Sequence, residues 1–247
     1  MLLAGYPDEP TAERTAADVA ATGGAGVVSV TVTPVDDHGL DGWRAHAQVV
    51  EAGPFTLVPA WLDHRRTTGE RTIRLDPGPT FGSGSHPTTR LVLAAIAELV
   101  EPGYRVLDVG CGSGVLAVAA ALCGADAVGL DVDPASAAVT AANASLNGVQ
   151  DRVAYDDRPL ALLAASVREG GPRFDVVLAN LLSPIIVELA DDLVAVTEPD
   201  GHLVVSGLLS ERQGPARRAL TSGGDLDLIG ELASDGWVSL TFRRRRL

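Results

Sequence analysis

The stretch V-L-D-V-G-C-G-S-G, residues 106–114, sets three glycines at alternate positions behind a run of apolar residues. Gly110, Gly112 and Gly114 let the backbone turn tightly and approach a ligand with no β-carbon in the way. A second apolar run ends at Asp131, 21 positions after Gly110. At that distance along a strand–helix–strand unit, a carboxylate is placed to accept hydrogen bonds from ribose hydroxyls. Loop and acid together predict a nucleoside ligand at the strand ends. The spacing G-x-G-x-G lacks the additional residue of the dinucleotide fingerprint G-x-G-x-x-G, and Asp108 sits inside the strand, two positions before the first glycine. Both features weigh against a Rossmann dehydrogenase; that and a ligand-free glycine turn are the competing readings.

Two further segments carry polar residues for which a local role competes with chemistry. Upstream, L-D-P-G-P-T-F-G-S-G-S-H-P-T-T (residues 75–89) runs into an apolar helix predicted over Leu91–Val100. Thr89 there either caps that helix or faces a ligand, and His86, ahead of a proline, shapes the turn. Downstream, D-V-V-L-A-N-L-L (residues 175–182) leaves Asn180 at the end of a predicted strand. Ligands gather at the carboxyl ends of parallel strands, which favours a functional Asn180 over a turn residue. Asp133, followed by Pro134, reads as a helix start.

These residues need a scaffold to hold them. After Gly103 the pattern predicts strand Arg105–Val109, helix Val115–Cys123, strand Ala127–Asp131 and helix Pro134–Asn147. Strand Phe174–Ala179, helix Ile185–Val196, strand His202–Ser206 and helix Glu211–Leu220 follow. Continuous apolar strands separated by helices specify an α/β fold with a parallel sheet covered on both faces. Leu226–Leu232 and Val238–Arg243 flank Ser234-Asp235-Gly236, a hairpin signal, so one antiparallel strand is expected to close the sheet. Ahead of this unit, Pro10–Thr22 reads as a helix, Val27–Val32 and Phe55–Val58 as strands, and Asp36-Asp37-His38-Gly39 as a turn. The expected organisation is a small α+β domain over residues 1–62, a polar linker over 63–72 with Arg65 and Arg66 in solvent, and the α/β domain over 73–247.

Composition narrows the classes. Among 247 residues, 32 acids are set against 19 bases, for a formal net charge of −13. That balance argues against direct nucleic-acid binding, which needs a basic face, and suits a cationic partner. All 19 basic residues are Arg and none is Lys, which excludes a Schiff-base lysine, a pyridoxal-phosphate anchor and a lysine-containing phosphate loop. Cys111 and Cys123 are too few for a disulfide framework or a zinc cluster, so no metal is expected. The opening M-L-L-A-G-Y-P-D-E-P lacks a basic n-region, and Asp126 interrupts the apolar stretch that starts at Val115. Neither a signal peptide nor a membrane span is expected, and the protein reads as soluble and cytoplasmic. The run Arg243–Arg246 reads as a solvated strand end.

The glycine loop with Asp108 and Asp131 resembles the first two motifs of class I S-adenosylmethionine-dependent methyltransferases. With F-G-S-G-S-H-P-T-T before it and A-N-L-L after it, the chain from about residue 40 onward resembles the ribosomal protein L-eleven methyltransferases of the PrmA type. The F-G-S-G-S-H-P-T-T block is the most specific part; Trp43 and the V-P-A-W ending at Trp61 match more loosely. The resemblance implies a Rossmann-like methyltransferase fold, a mostly parallel seven-stranded sheet with one antiparallel strand and a small N-terminal substrate-recognition domain. It implies that Thr89, Gly110, Gly112, Gly114, Asp131 and Asn180 contact S-adenosyl-L-methionine and that Asp108 organises the loop near its methionine part. Phe81, with Gly82 and Gly84, would close over the cofactor, and Asn180 would orient the amine nucleophile. The implied substrates are lysine side chains and the N-terminal amine of a free, basic ribosomal protein, L-eleven. Lysine methylation of electron-transfer flavoprotein, or N-methylation of a small amine, would use a related core. A cofactor-binding module without catalysis is the alternative outside the enzymes.

Overall fold

The computed structural model of the chain describes residues 47–80 and 82–246. The expected helix Pro10–Thr22, strand Val27–Val32 and turn Asp36–Gly39, together with Trp43 and Phe81, lie outside the described residues. The described chain opens with a three-stranded sheet. Strand β1 (Val50–Ala52) is antiparallel to β2 (Phe55–Pro59), and β2 is parallel to β3 (Arg71–Leu75). The central sheet is made of β4 (Arg105–Val109), β5 (Asp126–Leu130), β6 (Val153–Asp156), β7 (Phe174–Asn180), β8 (Thr197–Leu209), β9 (Leu226–Ser234) and β10 (Trp237–Arg244). Its seven strands run in the order β6-β5-β4-β7-β8-β10-β9.

Among the described residues, six helices cover the sheet: α1 (Pro87–Leu99), α2 (Val115–Leu122), α3 (Ala135–Leu146), α4 (Leu160–Arg168), α5 (Ser183–Val196) and α6 (Gly214–Thr221). Successive side chains of a strand point to opposite faces, and the two cores follow that alternation. Val106, Val176, Leu178 and Val204 enter the core shared with α1, α2 and the small sheet. Their neighbours Leu107, Val177, Ala179, Leu203 and Val205 enter the core beneath α4, α5 and α6. Burial on both faces explains why these strands read as unbroken apolar runs.

The sheet has its one antiparallel strand as expected, and the differences lie in its place and in elements that the sequence did not announce. Strand β10 is antiparallel to both β8 and β9 and lies between them, so β9 forms the edge. The more apolar strand takes the inner place: Val238, Leu240 and Phe242 are buried, whereas Ile229 and Leu232 of β9 are exposed. Strand β6 and helix α4 are additional elements. V-A-Y-D is too short and polar to announce itself, and α4 begins directly after Pro159. Strand β3, R-T-I-R-L, straddles the expected boundary between linker and domain at residues 72 and 73, and its charged residues interrupt the apolar signal. Helix α6 starts at Gly214, after a separate 3₁₀ turn over Ser210–Arg212, with Pro215 in its first turn.

Phe55, Leu57, Ile73 and Leu75 bury in the same core as Val92, Ile96 and Leu116. Residues 48–62, which the sequence grouped with the small N-terminal unit, therefore pack within the compact body Gln48–Leu247. The polar stretch Asp63–Glu70 folds around one carboxylate. Glu70 accepts from the Thr67 N–H (2.8 Å) and Thr67 hydroxyl (3.0 Å), and His64 Nε2 lies 2.6 Å from its other oxygen. The Thr67 N–H is the main cause that holds the Glu70 carboxyl down at about 2. The terminal arginines are paired rather than free. Arg243 and Arg246 reach Asp200 (3.1 and 3.0 Å), Arg245 pairs with Asp227, and Arg244 donates to the Thr197 carbonyl. Among the described residues, no helix is long and apolar enough to cross a membrane.

Candidate active site

Strand β4 delivers the glycine loop to the carboxyl end of β5. The Gly110 and Cys111 N–H groups both donate to the Leu130 carbonyl, at 2.7 and 3.1 Å. Gly110, Gly112 and Gly114 all have positive φ (74°, 51° and 75°), a region in which L-residues are strained. A β-carbon on Gly110 would also lie 2.4 Å from Leu181 Cδ2. The Gly112 N–H donates to Asp131 Oδ2 at 2.7 Å, and the Asp133 N–H donates to Oδ1 at 2.9 Å. Asp131 thus has its orientation set by backbone, while each oxygen keeps lone-pair capacity for a further donor. Asp133 lies just ahead of α3, whose N-cap is Pro134, and accepts from the Ala135 N–H at 2.9 Å.

This cradle fits an adenosine. A carboxylate with acceptor capacity suits vicinal hydroxyls, and beside it Val132 leaves 91% of its surface in solvent. An apolar side chain so exposed, between two acids, offers a face for a planar base. Tyr155 steadies the turn by donating from its hydroxyl to the Asp131 and Asp133 carbonyls (3.0 and 3.3 Å). Neither Val132 nor Tyr155 was singled out from the sequence. For Val132 the signal was present, as an apolar residue between two acids just past a strand.

Asp108 is fully buried in β4, accepts one hydrogen bond from the Ala117 N–H (3.2 Å), and has no partner at Oδ1. Burial, reinforced by the Asp131 charge and opposed by the Ala117 N–H, pushes its carboxyl up from 3.8 to about 7. The fold therefore holds a proton there that the unfolded chain has released. Bound protons exceed those of the unfolded state between about pH 4 and 7, so stability falls as pH rises through that window and levels off above it. Without cofactor, Asp108→Asn is expected to remove this slope, leaving the variant more stable than the parent at pH 8 by ~3 kcal/mol. Urea unfolding of both proteins at pH 5 and pH 8 measures it, and equal slopes would overturn the assignment.

Thr89 and Asn180, 91 residues apart in the chain, meet at the strand ends: Asn180 Nδ2 donates to Thr89 Oγ1 at 3.3 Å. Thr89 is not the helix cap. His86 occupies the N-cap of α1, its Nδ1 accepting from the Thr88 N–H at 3.4 Å. The His86 ring packs edge-on against Trp237, with centroids 4.9 Å apart, and Arg90 pairs with Asp235 at 3.1 Å. The β9–β10 hairpin thereby buttresses the first turn of α1, a role no local pattern of Trp237 announces. Asn180 ends β7, and the next residue, Leu181, donates its N–H to the Ser206 carbonyl of β8 (3.1 Å). No described residue engages Asn180 Oδ1. Leu182 and Ile185, just beyond it, are 64% and 40% exposed and form an apolar rim. From the upstream block, the Gly82 carbonyl accepts from Ser113 Oγ at 2.7 Å, which brings that segment against the glycine loop.

Comparison with known proteins gives a consistent picture. Residues 3–245 match the sequence model of the family described as ribosomal protein L11 methyltransferase (PrmA). The chain is similar to the ribosomal protein L11 methyltransferase of Geobacter sulfurreducens, with 41% identity over 92% of this chain and 73% of the relative. The protein of the same name in Desulfosudis oleivorans is 39% identical over 86% of this chain and 70% of its own length. Among solved structures, ribosomal protein L11 methylase from Lactobacillus delbrueckii subsp. bulgaricus superposes with a TM-score of 0.70 at 28% identity, covering 81% of this chain and all of that one.

Proposed function

The chain belongs to the ribosomal protein L11 methyltransferase (PrmA) family, and on that premise we propose that it methylates lysine side chains and the N-terminal amine of ribosomal protein L11. It is a methyltransferase that uses S-adenosyl-L-methionine, whose bound sulfonium supplies an activated methyl group. Asp131, the glycine loop and Thr89 hold the cofactor in this reading, with Val132 under the base. The task left to the protein is to aim a neutral amine. A lysine amine titrates near 10.4 in water, and the apolar rim of Leu182 and Ile185 favours its uncharged form by desolvation. Asn180 Oδ1 then accepts an amine N–H and orients the lone pair, with its amide fixed by Thr89.

The Thr89–Asn180 contact beside the Asp131 cradle is the observation that carries this reading. The small N-terminal domain expected over residues 1–62 serves substrate recognition in this reading, and the net charge of −13 draws in a basic partner before ribosome assembly in the cytoplasm. Incubation with labelled S-adenosylmethionine and free L11, followed by mass spectrometry, tests it. Because this chain has no lysine, labelled lysine in that assay comes from the substrate alone. Asn180→Ala is expected to lower turnover at saturating cofactor by about 100-fold; full turnover would remove Asn180 from the mechanism. Label confined to small molecules would overturn the choice of substrate.

A further inference from the structure

Helix α3 carries Asn143, its C-cap four residues on is Asn147, and both reach the same strand edge. Asn147 Oδ1 accepts the Arg74 N–H at 2.8 Å, and its Nδ2 donates to the Arg74 carbonyl at 2.7 Å. Asn143 does the same with the backbone of Asp76, at 2.9 Å in both directions. Residues i and i+4 of a helix are spaced by about 6 Å and residues i and i+2 of a strand by about 6.6 Å. The two side-chain amides therefore stand in for the missing neighbour at the open edge of β3.

The two asparagines differ in one bond. The second amide hydrogen of Asn147 goes to the Asn143 carbonyl within its own helix, at 2.8 Å. That of Asn143 goes to the Ser113 carbonyl in the glycine loop, at 2.9 Å. Asn143 is 1% exposed, so water cannot replace a lost partner there. One buried side chain thus joins the glycine loop to the end of β3, where the F-G-S-G-S-H segment departs. Ser113 returns a bond to Gly82, and Thr140 supports the loop from the same helix through the Gly112 carbonyl at 3.4 Å.

We propose that Asn143 is a positioning residue that couples the glycine loop to segment 76–86, setting cofactor affinity without touching the cofactor. The inference rests on reading residues 110–114 and Asp131 as the cofactor cradle. Asn147 is the built-in control, since it makes the same strand contacts and lacks the loop bond. The test is calorimetric binding of S-adenosylhomocysteine to the full chain and to Asn143→Ala, Asn147→Ala and Asp131→Ala, with melting temperatures for each. Both asparagine variants lower the melting temperature, but only Asn143→Ala weakens binding, by about ten-fold, the effect of leaving one buried amide partner unsatisfied. Hydrogen exchange supplies a second readout: S-adenosylhomocysteine slows exchange across residues 76–86 in the parent and Asn147→Ala, and not in Asn143→Ala. If Asn143→Ala fails to fold, Asn143→Ser, small and uncharged and too short to span both segments, carries the same expectation. Equal binding by the two asparagine variants, with Asp131→Ala weakened, overturns the positioning role alone. Unweakened binding by Asp131→Ala overturns the cradle and the inference with it.

Discussion

Asp131→Ala is expected to weaken S-adenosylmethionine binding by about 10²- to 10³-fold, measured by calorimetry. A hydrogen bond to a charged acceptor contributes ~1.5–3 kcal/mol, and two ribose hydroxyls lose their acceptor at once. The same substitution removes the acceptor for the Gly112 and Asp133 N–H groups, which lie 2.7 and 2.9 Å from the carboxylate. The Asp133 N–H is exposed, so water takes it over, whereas Gly112 is buried and its N–H loses its partner, so the loop loses orientation. Asp131→Asn retains one oxygen and should fall between the two. Binding within about three-fold of the parent for Asp131→Ala would show that the acid does not serve the ribose, because even one neutral hydrogen bond contributes ~0.5–1.5 kcal/mol.

Gly207→Ala is expected to damage turnover through the backbone, although no proposed contact residue is itself replaced. Gly207 follows Ser206 in β8 with φ of +84°, and a β-carbon there would lie 2.3 Å from the Leu181 carbonyl oxygen and 2.8 Å from its carbon. The obstacle is main chain, so no rotamer change relieves it, and the Leu181 peptide must move by about 1 Å to reach an ordinary contact. Left-handed φ adds ~1–2 kcal/mol for an L-residue. Asn180 is the residue directly before that peptide. We expect a stability loss of ~3 kcal/mol by urea unfolding and a turnover loss of about 100-fold at saturating cofactor, since a shift of this size in a positioned group has that effect. Retained turnover would mean that Leu181 moves without carrying Asn180.

The parts of the site that were legible lie close together in the chain or follow one period. Gly110 to Asp131 is a single strand–helix–strand unit, so spacing alone brings the loop to the acid, and the Gly112–Asp131 bond is the local consequence. The strands of the central sheet were readable because burial on both faces leaves them uniformly apolar. By contrast, β3 and β6 are short and polar, and what makes them strands is pairing with β2 and β5 rather than any pattern of their own.

Roles that depend on distant partners had no such trace. Thr89 carries a helix-cap signature that is as good as any, and only the approach of β7 to the start of α1 turns its hydroxyl toward Asn180. Trp237 and Asp235 look like ordinary hairpin residues until β10 inserts beside β8 and sets them against His86 and Arg90. Asn143 looks like a polar face of α3, yet it is fully buried and holds three backbone groups from two other segments. Asp108 was legible as a motif residue, but its carboxyl near 7 comes from burial and a neighbouring charge. Local hydrogen bonding and hydrophobic period are written into consecutive residues, so the sequence carried the fold class, the glycine loop and its acid. Burial, long-range contact and electrostatic environment are properties of chain segments brought together in space, so they exist only once the sheet has formed.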